Sequence, residues 1–147
     1  MGRVVQLHGE LYAREFGYDA TFEALVADIV AQFVKNFDPK HERCWIAEKD
    51  GAVVGSVFLV KKNRSKAKLR LLIIDPAARG LGLGRRLTRA CIRFARAAGY
   101  KKMVLWTQSH LAAARAIYEA EGFHLMARQL HRSFGKRLVG ENWELKL

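Results

Sequence analysis

The sequence predicts one α/β domain built on a mixed central sheet, and three observations lead to this fold class. Apolar runs of strand length alternate with amphipathic segments of helix length. The pair Asp50-Gly51, a strong two-residue turn signal, separates two apolar runs and predicts an antiparallel hairpin. Between Lys68 and Thr107 a strand, a glycine-rich turn, a helix and a second strand follow, which predicts a right-handed crossover joining parallel strands. With 147 residues, the chain is expected to form this single domain over residues 1–147.

The N-terminal quarter predicts a strand and two helices. Arg3 to Leu7 is interpreted as an edge strand, and His8 to Phe16 as a short helix that ends at Gly17. Asp19 or Thr21 caps the next helix. Its apolar residues recur with the helical period, at Phe22, Leu25, Val26, Ile29, Val30 and Phe33.

An antiparallel meander of three strands is predicted next. The strands are expected at Arg43 to Lys49, Ala52 to Lys61 and Lys68 to Ile74. A strongly amphipathic helix then runs from about Arg85 to Ala98 and ends at Gly99.

The rest of the chain predicts four more regular elements around one long loop. In order they are a strand at Met103–Thr107, a helix at Leu111–Glu121 stopped by Gly122, a strand at Phe123–Arg128, a polar loop at Gln129–Glu141 and a strand at Asn142–Leu147. These elements complete one α/β domain of mixed sheet order.

The stretch from Leu71 to Arg86 carries the clearest functional signal. Its apolar start is stopped by Asp75-Pro76, because proline blocks further ladder pairing. Gly80, Gly82 and Gly84 let the backbone bend and leave its N–H groups unobstructed. The following helix adds unpaired N–H groups and the positive end of its dipole. Together they predict an anion site, with phosphate as the expected anion.

The net charge of +12 is concentrated around this stretch. Between Lys61 and Lys102, fourteen lysines and arginines stand against a single acid, Asp75, so the remainder of the chain is nearly neutral. A basic face is commonly only a solvated surface. Here it coincides with the predicted phosphate site, which favours a functional reading.

Composition excludes several other classes of protein. Half of the residues are hydrophobic and only two are proline, which predicts an ordered globular fold. No apolar run approaches the roughly 20 residues of a membrane span, and the N-terminus lacks a signal-peptide core. Cys44 and Cys91 lie in unlike contexts and predict reduced thiols in a cytoplasmic protein. The five histidines lack ligand spacing, so no metal site is expected.

Two common nucleotide-binding motifs fail on spacing. The Gly-Lys-Ser/Thr triplet of a Walker loop does not occur in the chain. A Rossmann fingerprint would place its third glycine at Leu87 and an acidic residue near Lys102.

The spacing Arg79-x-x-Gly82-x-Gly84, after a strand and Asp-Pro, instead resembles the acyl-CoA loop of the GNAT superfamily of N-acetyltransferases. The segment Ala114–Phe123, with Tyr118 inside it, resembles the second diagnostic segment of the same family. The resemblance implies a GNAT fold, in which the parallel strand pair splays apart and helices cover both faces of the sheet. It also implies direct transfer of an acetyl group from acetyl-CoA to an amine, without an acyl-enzyme.

The resemblance assigns residues to the donor site. The backbone around the loop is expected to hold the pyrophosphate, and the strand before it to pair with the pantetheine arm. The expected acetyl-CoA contacts are Leu72, Ile73, Ile74, Arg79, Gly80, Leu81, Gly82, Leu83, Gly84, Arg85, Ala114, Arg115 and Tyr118. Arg115 is equally consistent with an exposed, solvated arginine. Leu111 occupies the place where many relatives have an asparagine that contacts the cofactor arm.

The resemblance also assigns catalytic roles. Tyr118 is expected to act as the general acid toward the departing CoA thiolate, and an N–H near Ile74 to stabilise the oxyanion. The predicted strand before the loop contains no glutamate, so the general base stays open. Glu42, Glu48, His110 and His131 are candidates, and Glu42 and His131 are preferred because they border segments that line acceptor pockets in the family.

The acceptor and partners are less determined. The acceptor is an unidentified primary amine on a small molecule or protein. A pocket for a polycationic amine could draw acids from the N-terminal segment, namely Glu10, Glu15, Asp19 and Glu23. A homodimer is compatible with the prediction, and no membrane partner is expected.

Two alternatives are retained. One is a nucleic-acid-binding or regulatory module that uses the helix arginines Arg85, Arg86, Arg89, Arg93 and Arg96, although no reader motif accompanies them. The other is an acyl-CoA sensor without catalysis. Trp106–Leu111 and Trp143–Leu145 resemble a GNAT subgroup fused behind MarR-type winged-helix regulators, and no DNA-binding half is expected in this chain.

Overall fold

Four helices and six strands make up the computed structural model, which describes residues 1–147. The helices are α1 (Gly2–Phe16), α2 (Ala20–Lys35), α3 (Leu83–Ala97) and α4 (Ala112–Ala120). The strands are β1 (Arg43–Lys49), β2 (Ala52–Lys61), β3 (Lys66–Ile74), β4 (Lys102–Gln108), β5 (His124–Ser133) and β6 (Lys136–Lys146). A single 3₁₀ turn, Pro76–Ala78, follows β3. None of the helices combines the length and the apolar character needed to cross a membrane.

The strands form one sheet in the order β1-β2-β3-β4-β6-β5. Only β3 and β4 run parallel, and α3 connects them. All other neighbours are antiparallel. The predicted mixed sheet, its N-terminal meander and its parallel pair are therefore confirmed.

Apolar side chains fill the space on both faces of the sheet. On one face, α3 and α4 cover a core of fifteen buried residues that includes Leu69, Cys91 and Met103. On the other face, Val4 of α1 and Val26 of α2 pack with Phe58 of β2 in a smaller cluster. Helices on both faces were predicted, and both layers are present.

The predicted edge strand at Arg3–Leu7 is wrong, because these residues belong to α1. Val4, His8 and Leu11 are buried on one side of that helix, a spacing of four and three residues. The β-branched pair at its start favoured a strand locally, but packing of this side against α2 and the sheet outweighs local propensity. The predicted end at Gly17 is correct, since this glycine adopts the left-handed conformation with φ 69°.

The predicted loop at Gln129–Glu141 is also wrong, because β5 and β6 form a long hairpin there. Its two turn residues, Phe134 and Gly135, have φ values of 57° and 78°. Phenylalanine is not a typical residue for the first of these positions, which explains why the turn carries no clear sequence signal. The Phe134 ring stacks on Tyr18 and meets Phe22 edge-on, so contacts with the α1–α2 region stabilise the turn.

Candidate active site

The parallel strands β3 and β4 separate part-way along their length. They pair only from Lys66–Lys102 to Leu69–Leu105, although β3 continues to Ile74 and β4 to Gln108. Beyond Leu105, β4 keeps its pairing with β6. A cleft therefore opens between the ends of two neighbouring parallel strands.

A bulge in β3 lies at the point where this cleft begins. Ser56 and Phe58 of β2 pair with Ile73 and Arg70, so β3 carries one extra residue between these two pairs. Within it Leu71 adopts a φ of 54°, a left-handed conformation that is uncommon for leucine. The hydroxyl of the buried Ser56 donates to the Leu71 carbonyl at 3.2 Å. The bulge bends β3, which fits its separation from β4.

The last residues of β3 present backbone groups to the cleft. The Asp75 N–H donates to the Val54 carbonyl of β2 at 2.7 Å. Because backbone groups alternate along a strand, those of Ile74 and Leu72 point to the opposite edge, toward the cleft. A Cβ on Gly55 would lie 2.9 Å from the Ile73 carbonyl oxygen, so glycine is required beside the strand end.

The turn between β3 and α3 presents a run of free donors. No backbone N–H from Gly80 to Arg85 donates to a backbone carbonyl. Gly80 and Gly82 have φ values of 83° and 73°, and nothing lies within 4 Å of a Cβ built on either. Since these donors also sit at the N-terminal end of α3, the turn suits a bound phosphate. Gly84 differs, because a Cβ there would lie 2.7 Å from Ile117, so this glycine lets α3 pack closely on α4.

A cavity of about 490 Å³ joins this turn to the cleft. Ten of the predicted donor-site residues line it: Leu72, Ile73, Ile74, Arg79, Gly80, Gly82, Leu83, Gly84, Arg85 and Ala114. Leu81 does not line it and is exposed to solvent. The opposite wall includes Glu15 of α1 and His110.

Two arginines of this cavity already have carboxylate partners. Arg79 pairs with Glu15 through both guanidinium Nη atoms, at 2.9 and 3.1 Å, which links the turn to α1. The Arg85 Nε lies 3.5 Å from a Glu121 oxygen. Glu15 and Glu121 therefore partly neutralise the positive charge that Arg79 and Arg85 bring to the cavity.

Arg115, for which the resemblance implies a contact with acetyl-CoA, does not line the larger cavity. Its Nε donates at 2.8 Å to Glu141, whose side chain is fully buried. Trp143 donates to the same oxygen at 3.2 Å, and the Arg128 Nε lies 3.2 Å from the other oxygen. A buried carboxylate needs such partners, so Arg115 holds α4 onto the sheet.

Tyr118 lines a second, smaller cavity of about 140 Å³. Its side chain is buried, with 4% of the residue exposed. Burial, with lesser contributions from Tyr12 and Cys91, raises the pKa of its hydroxyl, which therefore stays protonated at neutral pH. Both cavities are lined by Tyr12, Leu72, Leu111 and Ala114. The two cavities therefore adjoin at these four residues, which form their junction, and Tyr118 lies one helical turn beyond Ala114.

A hydrogen-bonded pair connects the two cavities. The Tyr18 hydroxyl lies 2.6 Å from His110 Nε2. Tyr18 lines the smaller cavity and His110 the larger one. Burial lowers the pKa of His110 and raises that of Tyr18, so at neutral pH the histidine is neutral and the tyrosine protonated.

Glu42 lies outside both cavities. Its two carboxylate oxygens accept hydrogen bonds from the Asp38 and Lys61 backbone N–H groups, at 3.1 and 3.0 Å. Lys61 pairs with Ala67, seven residues before Ile74, which is roughly 23 Å along the strand from the cleft. Glu42 therefore fastens the turn before β1 to the end of β2 and does not face the reacting groups.

His131 also lies outside the lining of both cavities, but closer to them. Its Nε2 lies 2.8 Å from Gln108 Oε1, and its Nδ1 lies 2.9 Å from the Ser133 hydroxyl. The ring lies 5.1 Å from that of Trp106. Since Gln108 and Trp106 line the smaller cavity, His131 supports that wall from behind.

Four side chains near the junction were not singled out from the sequence: Tyr12, Tyr18, Lys68 and Arg70. They line the smaller cavity together with His8, which the sequence analysis assigned no role in a site. His8 and Tyr12 lie four residues apart in the predicted helix at His8–Phe16, so the helical period places both on one face. No group of three or more His, Cys, Asp or Glu side chains is placed to hold a metal ion.

Comparison with known families gives one match over most of the chain. The model of the acetyltransferase (GNAT) family matches residues 8–123. This span runs from α1 to the residue before β5, and it includes the cleft, the turn and Tyr118.

Two curated proteins are similar in sequence to most of this chain. The chain is 35% identical over 101 residues to mycothiol acetyltransferase of Beutenbergia cavernae, which covers 67% of this chain and 33% of that protein. It is 32% identical over 123 residues to N-acetyltransferase family 8 member 2 of Rattus norvegicus, which covers 80% of this chain and 54% of that protein. The chain thus spans about a third to a half of the length of these relatives.

A solved structure shares the fold. The yncA protein of Salmonella typhimurium, solved with its cofactor acetyl-CoA, superimposes with a TM-score of 0.70 at 24% identity. The match covers 82% of this chain and 72% of that one.

Proposed function

The chain belongs to the acetyltransferase (GNAT) family, and on this basis we propose that it is an acetyl-CoA-dependent N-acetyltransferase that transfers the acetyl group directly to a primary amine. Residues 1–147 act as one catalytic domain in this proposal. The observation that carries it is the junction of two cavities at the separated β3 and β4 strands, one below the phosphate-binding turn and one beside Tyr118.

The larger cavity is the proposed donor site. The free N–H groups from Gly80 to Arg85 hold the pyrophosphate, and the backbone of Leu72 and Ile74 pairs with the amides of the pantetheine arm. Acetyl-CoA supplies an activated acetyl group as a thioester. The Ile74 N–H, which is fixed at the cleft edge, stabilises negative charge on the thioester oxygen.

Tyr118 is the proposed general acid. Its hydroxyl is protonated because burial raises its pKa, and Tyr118 lines the smaller cavity beside the junction, where the CoA sulfur would leave in this proposal. Transfer of its proton to the CoA thiolate completes the departure of the leaving group.

His110, acting through Tyr18, is the proposed general base. The neutral imidazole accepts the Tyr18 proton across the 2.6 Å hydrogen bond, while the Tyr18 oxygen accepts a proton from the acceptor amine. His110 was one of four candidates in the sequence, and its contact with Tyr18 favours it over Glu42, which lies at the far end of the strand.

A coupled binding and turnover assay tests the proposed function. Purified protein is first melted with and without acetyl-CoA, and release of the free CoA thiol is then followed with a panel of primary amines, with the product identified by mass spectrometry. We expect stabilisation by acetyl-CoA and amine-dependent thiol release. Stabilisation without turnover would favour the acyl-CoA sensor, and absence of both would refute the proposal.

The nucleic-acid-binding alternative has weaker support. Arg85 and Arg89 of α3 both pair with Glu121, at 3.5 and 2.8 Å, and Arg85 also lines the donor cavity. Salt-sensitive gel shifts with duplex DNA that acetyl-CoA does not diminish would favour this alternative.

Three further points remain proposals. Trp106–Leu111 and Trp143–Leu145 support a place in the GNAT subgroup that is found fused to MarR-type regulators. Free thiols at Cys44 and Cys91 support a cytoplasmic location. A homodimer stays a prediction that size measurement in solution can test.

A further inference from the structure

The charges around the smaller cavity distinguish among acceptor amines. Eighteen residues line it, and the charged ones are Lys68 and Arg70, with no carboxylate among them. Both are half-buried, and neither lies within 4.0 Å of a carboxylate. Two cations in a partly apolar wall repel each other and any cationic ligand. Burial lowers the pKa of each, with Arg70 adding to the effect on Lys68.

The N-terminal acids that could have served a polycation are placed elsewhere. Glu10 accepts a hydrogen bond from Gln6, Glu15 pairs with Arg79 at the donor cavity, and Asp19 caps α2. None of them, nor Glu23, lines the smaller cavity. A polyamine would therefore bring extra positive charge to a wall that already carries two cations.

The remaining lining is mostly apolar and aromatic, and its polar members are His8, Thr107 and Gln108. The rings of Tyr12, Tyr18, Phe22, Trp106 and Phe134 surround the space together with aliphatic side chains of α2 and β3. Such a lining stabilises an apolar or aromatic body by removing its surface from water. The volume of about 140 Å³ suits a small molecule.

The cations lie at a suitable distance from the reacting centre. Leu72, which lines both cavities, is two residues from Arg70, or roughly 7 Å along the strand. A small molecule with its amine at the junction can therefore place a second group beside the Arg70 guanidinium. That cation is suited to a carboxylate, which it can bind through two parallel hydrogen bonds.

We propose that the acetyl acceptor is a small primary amine that carries a carboxylate on an apolar or aromatic body, with Arg70 and Lys68 binding the carboxylate. This inference rests on the proposed function and narrows its acceptor. Amino acids with apolar side chains have this chemistry, whereas polyamines and amines without a carboxylate do not.

Matched pairs of acceptors test the inference. Phenylalanine is compared with phenethylamine, and leucine with 3-methylbutylamine, while spermidine represents the polycations. The readout is kcat/KM for release of the CoA thiol. We expect kcat/KM for each carboxylated amine to be at least tenfold higher than for its decarboxylated partner and for spermidine. The inference is overturned if the decarboxylated amine or spermidine reacts as well, or if no carboxylated amine reacts.

Variants connect the preference to the two cations. In Arg70→Gln and in Lys68→Gln, we expect the kcat/KM ratio of the carboxylated to the decarboxylated amine to fall below about threefold. The main cause should be a higher KM for the carboxylated amine. Lys49→Gln, at an exposed lysine of β1 outside the cavity lining, serves as the matched control and should retain the preference. Retention of the preference in Arg70→Gln and Lys68→Gln contradicts the assignment.

Two binding measurements separate this inference from the proposed function. Thermal melting with acetyl-CoA reports the donor site alone, so a failure there counts against the proposed function. Melting with CoA plus N-acetylphenylalanine or N-acetylphenethylamine reports the acceptor site without turnover. Greater stabilisation by the carboxylated product supports the inference, and equal or no stabilisation by both products overturns it even when acetyl-CoA binds.

Discussion

Tyr118 has a buried hydroxyl beside the junction of the two cavities, which leads to the first prediction. Tyr118→Phe removes the proposed acid and leaves the ring packed against Phe123 and Trp143. We expect kcat to fall by roughly 10- to 100-fold, at the lower end for general acids because a CoA thiolate is already a fair leaving group. KM for acetyl-CoA should change little. Steady-state kinetics checks this, and an unchanged kcat across pH would remove Tyr118 from the mechanism.

The Tyr18–His110 pair should determine how kcat depends on pH. Burial lowers the pKa of His110 below its ordinary value of 6.5. The base is therefore still largely neutral at pH 6.5 and is lost as pH falls through the lowered pKa. The wild-type kcat profile should therefore have an acid limb with an apparent pKa below 6.5. His110→Gln should lower kcat and abolish that limb, and Tyr18→Phe should do the same. If the acid limb of the kcat profile is retained in both variants, another residue is the general base.

His8 couples stability to pH. It is 1% exposed, its Nδ1 lies 2.8 Å from the Val4 carbonyl, and burial lowers its pKa from 6.5 to about 4. The unfolded chain therefore binds the proton more tightly than the folded one. The free energy of unfolding should be highest above pH 6.5 and should lose about 3 kcal/mol as pH falls to 4.

Urea unfolding at pH 7 and pH 4 measures the contribution of His8. His8→Gln should be less stable overall but should lose about 3 kcal/mol less than wild type between the two pH values. His124→Gln, at an exposed position of β5, is the control and should keep the wild-type difference. Equal pH dependence in wild type and His8→Gln would show that this histidine does not titrate as described.

At the residue scale, sequence reasoning succeeded where the partner groups are local. The backbone bend predicted at Gly80 and Gly82 depends on a single turn, and both glycines adopt a positive φ there. Arg115 and Glu42 were placed differently because their partners, Glu141 and Lys61, lie 26 and 19 residues away along the chain. A partner that far away in the sequence cannot be recognised from the local residue pattern.

At the scale of elements, the bulged end of β3 determines how the cleft opens. Gly55→Ala would bring a Cβ within 2.9 Å of the Ile73 carbonyl oxygen, so the strand end must shift. We expect a destabilisation of about 1–3 kcal/mol and a higher KM for acetyl-CoA, because Ile74 moves with its neighbour. Urea unfolding and donor kinetics check both effects. A destabilised variant with unchanged KM would separate the strand end from donor binding.

Three features were predictable because each has a strong local signal: the hairpin at Asp50-Gly51, the α3 crossover and the capping of α2 by Asp19. Two other elements were not predictable from local signals. The first turns of α1 depend on burial against α2, and the β5–β6 turn depends on the packing of Phe134 against Tyr18 and Phe22. Both are tertiary contacts that outweigh local propensity.

At the scale of the whole molecule, the two faces of the sheet have separate roles. The α3 and α4 face supplies Tyr118 and the turn proposed to bind phosphate, and the α1 and α2 face supplies most of the aromatic wall of the smaller cavity. The strand separation lets the two spaces meet. The basic excess near residues 61–102 fits this arrangement, because it surrounds the donor turn and includes Lys68 and Arg70.

The donor site at the turn before α3 is the central claim, and binding of acetyl-CoA to matched glycine variants tests it most directly. Gly82→Asp places a carboxylate among the free N–H groups, whereas Gly99→Asp introduces the same side chain at another positive-φ glycine, just beyond the C-terminal end of α3. Both should lose about 1 kcal/mol of stability from backbone strain.

Thermal melting with acetyl-CoA at about 100 times its Kd should stabilise wild type and Gly99→Asp by about 2.7 kcal/mol, a rise in Tm of about 5–10 °C. Gly82→Asp should show no rise. Equal stabilisation of both variants, or none in the wild type, would contradict the assignment of this turn as the acetyl-CoA site.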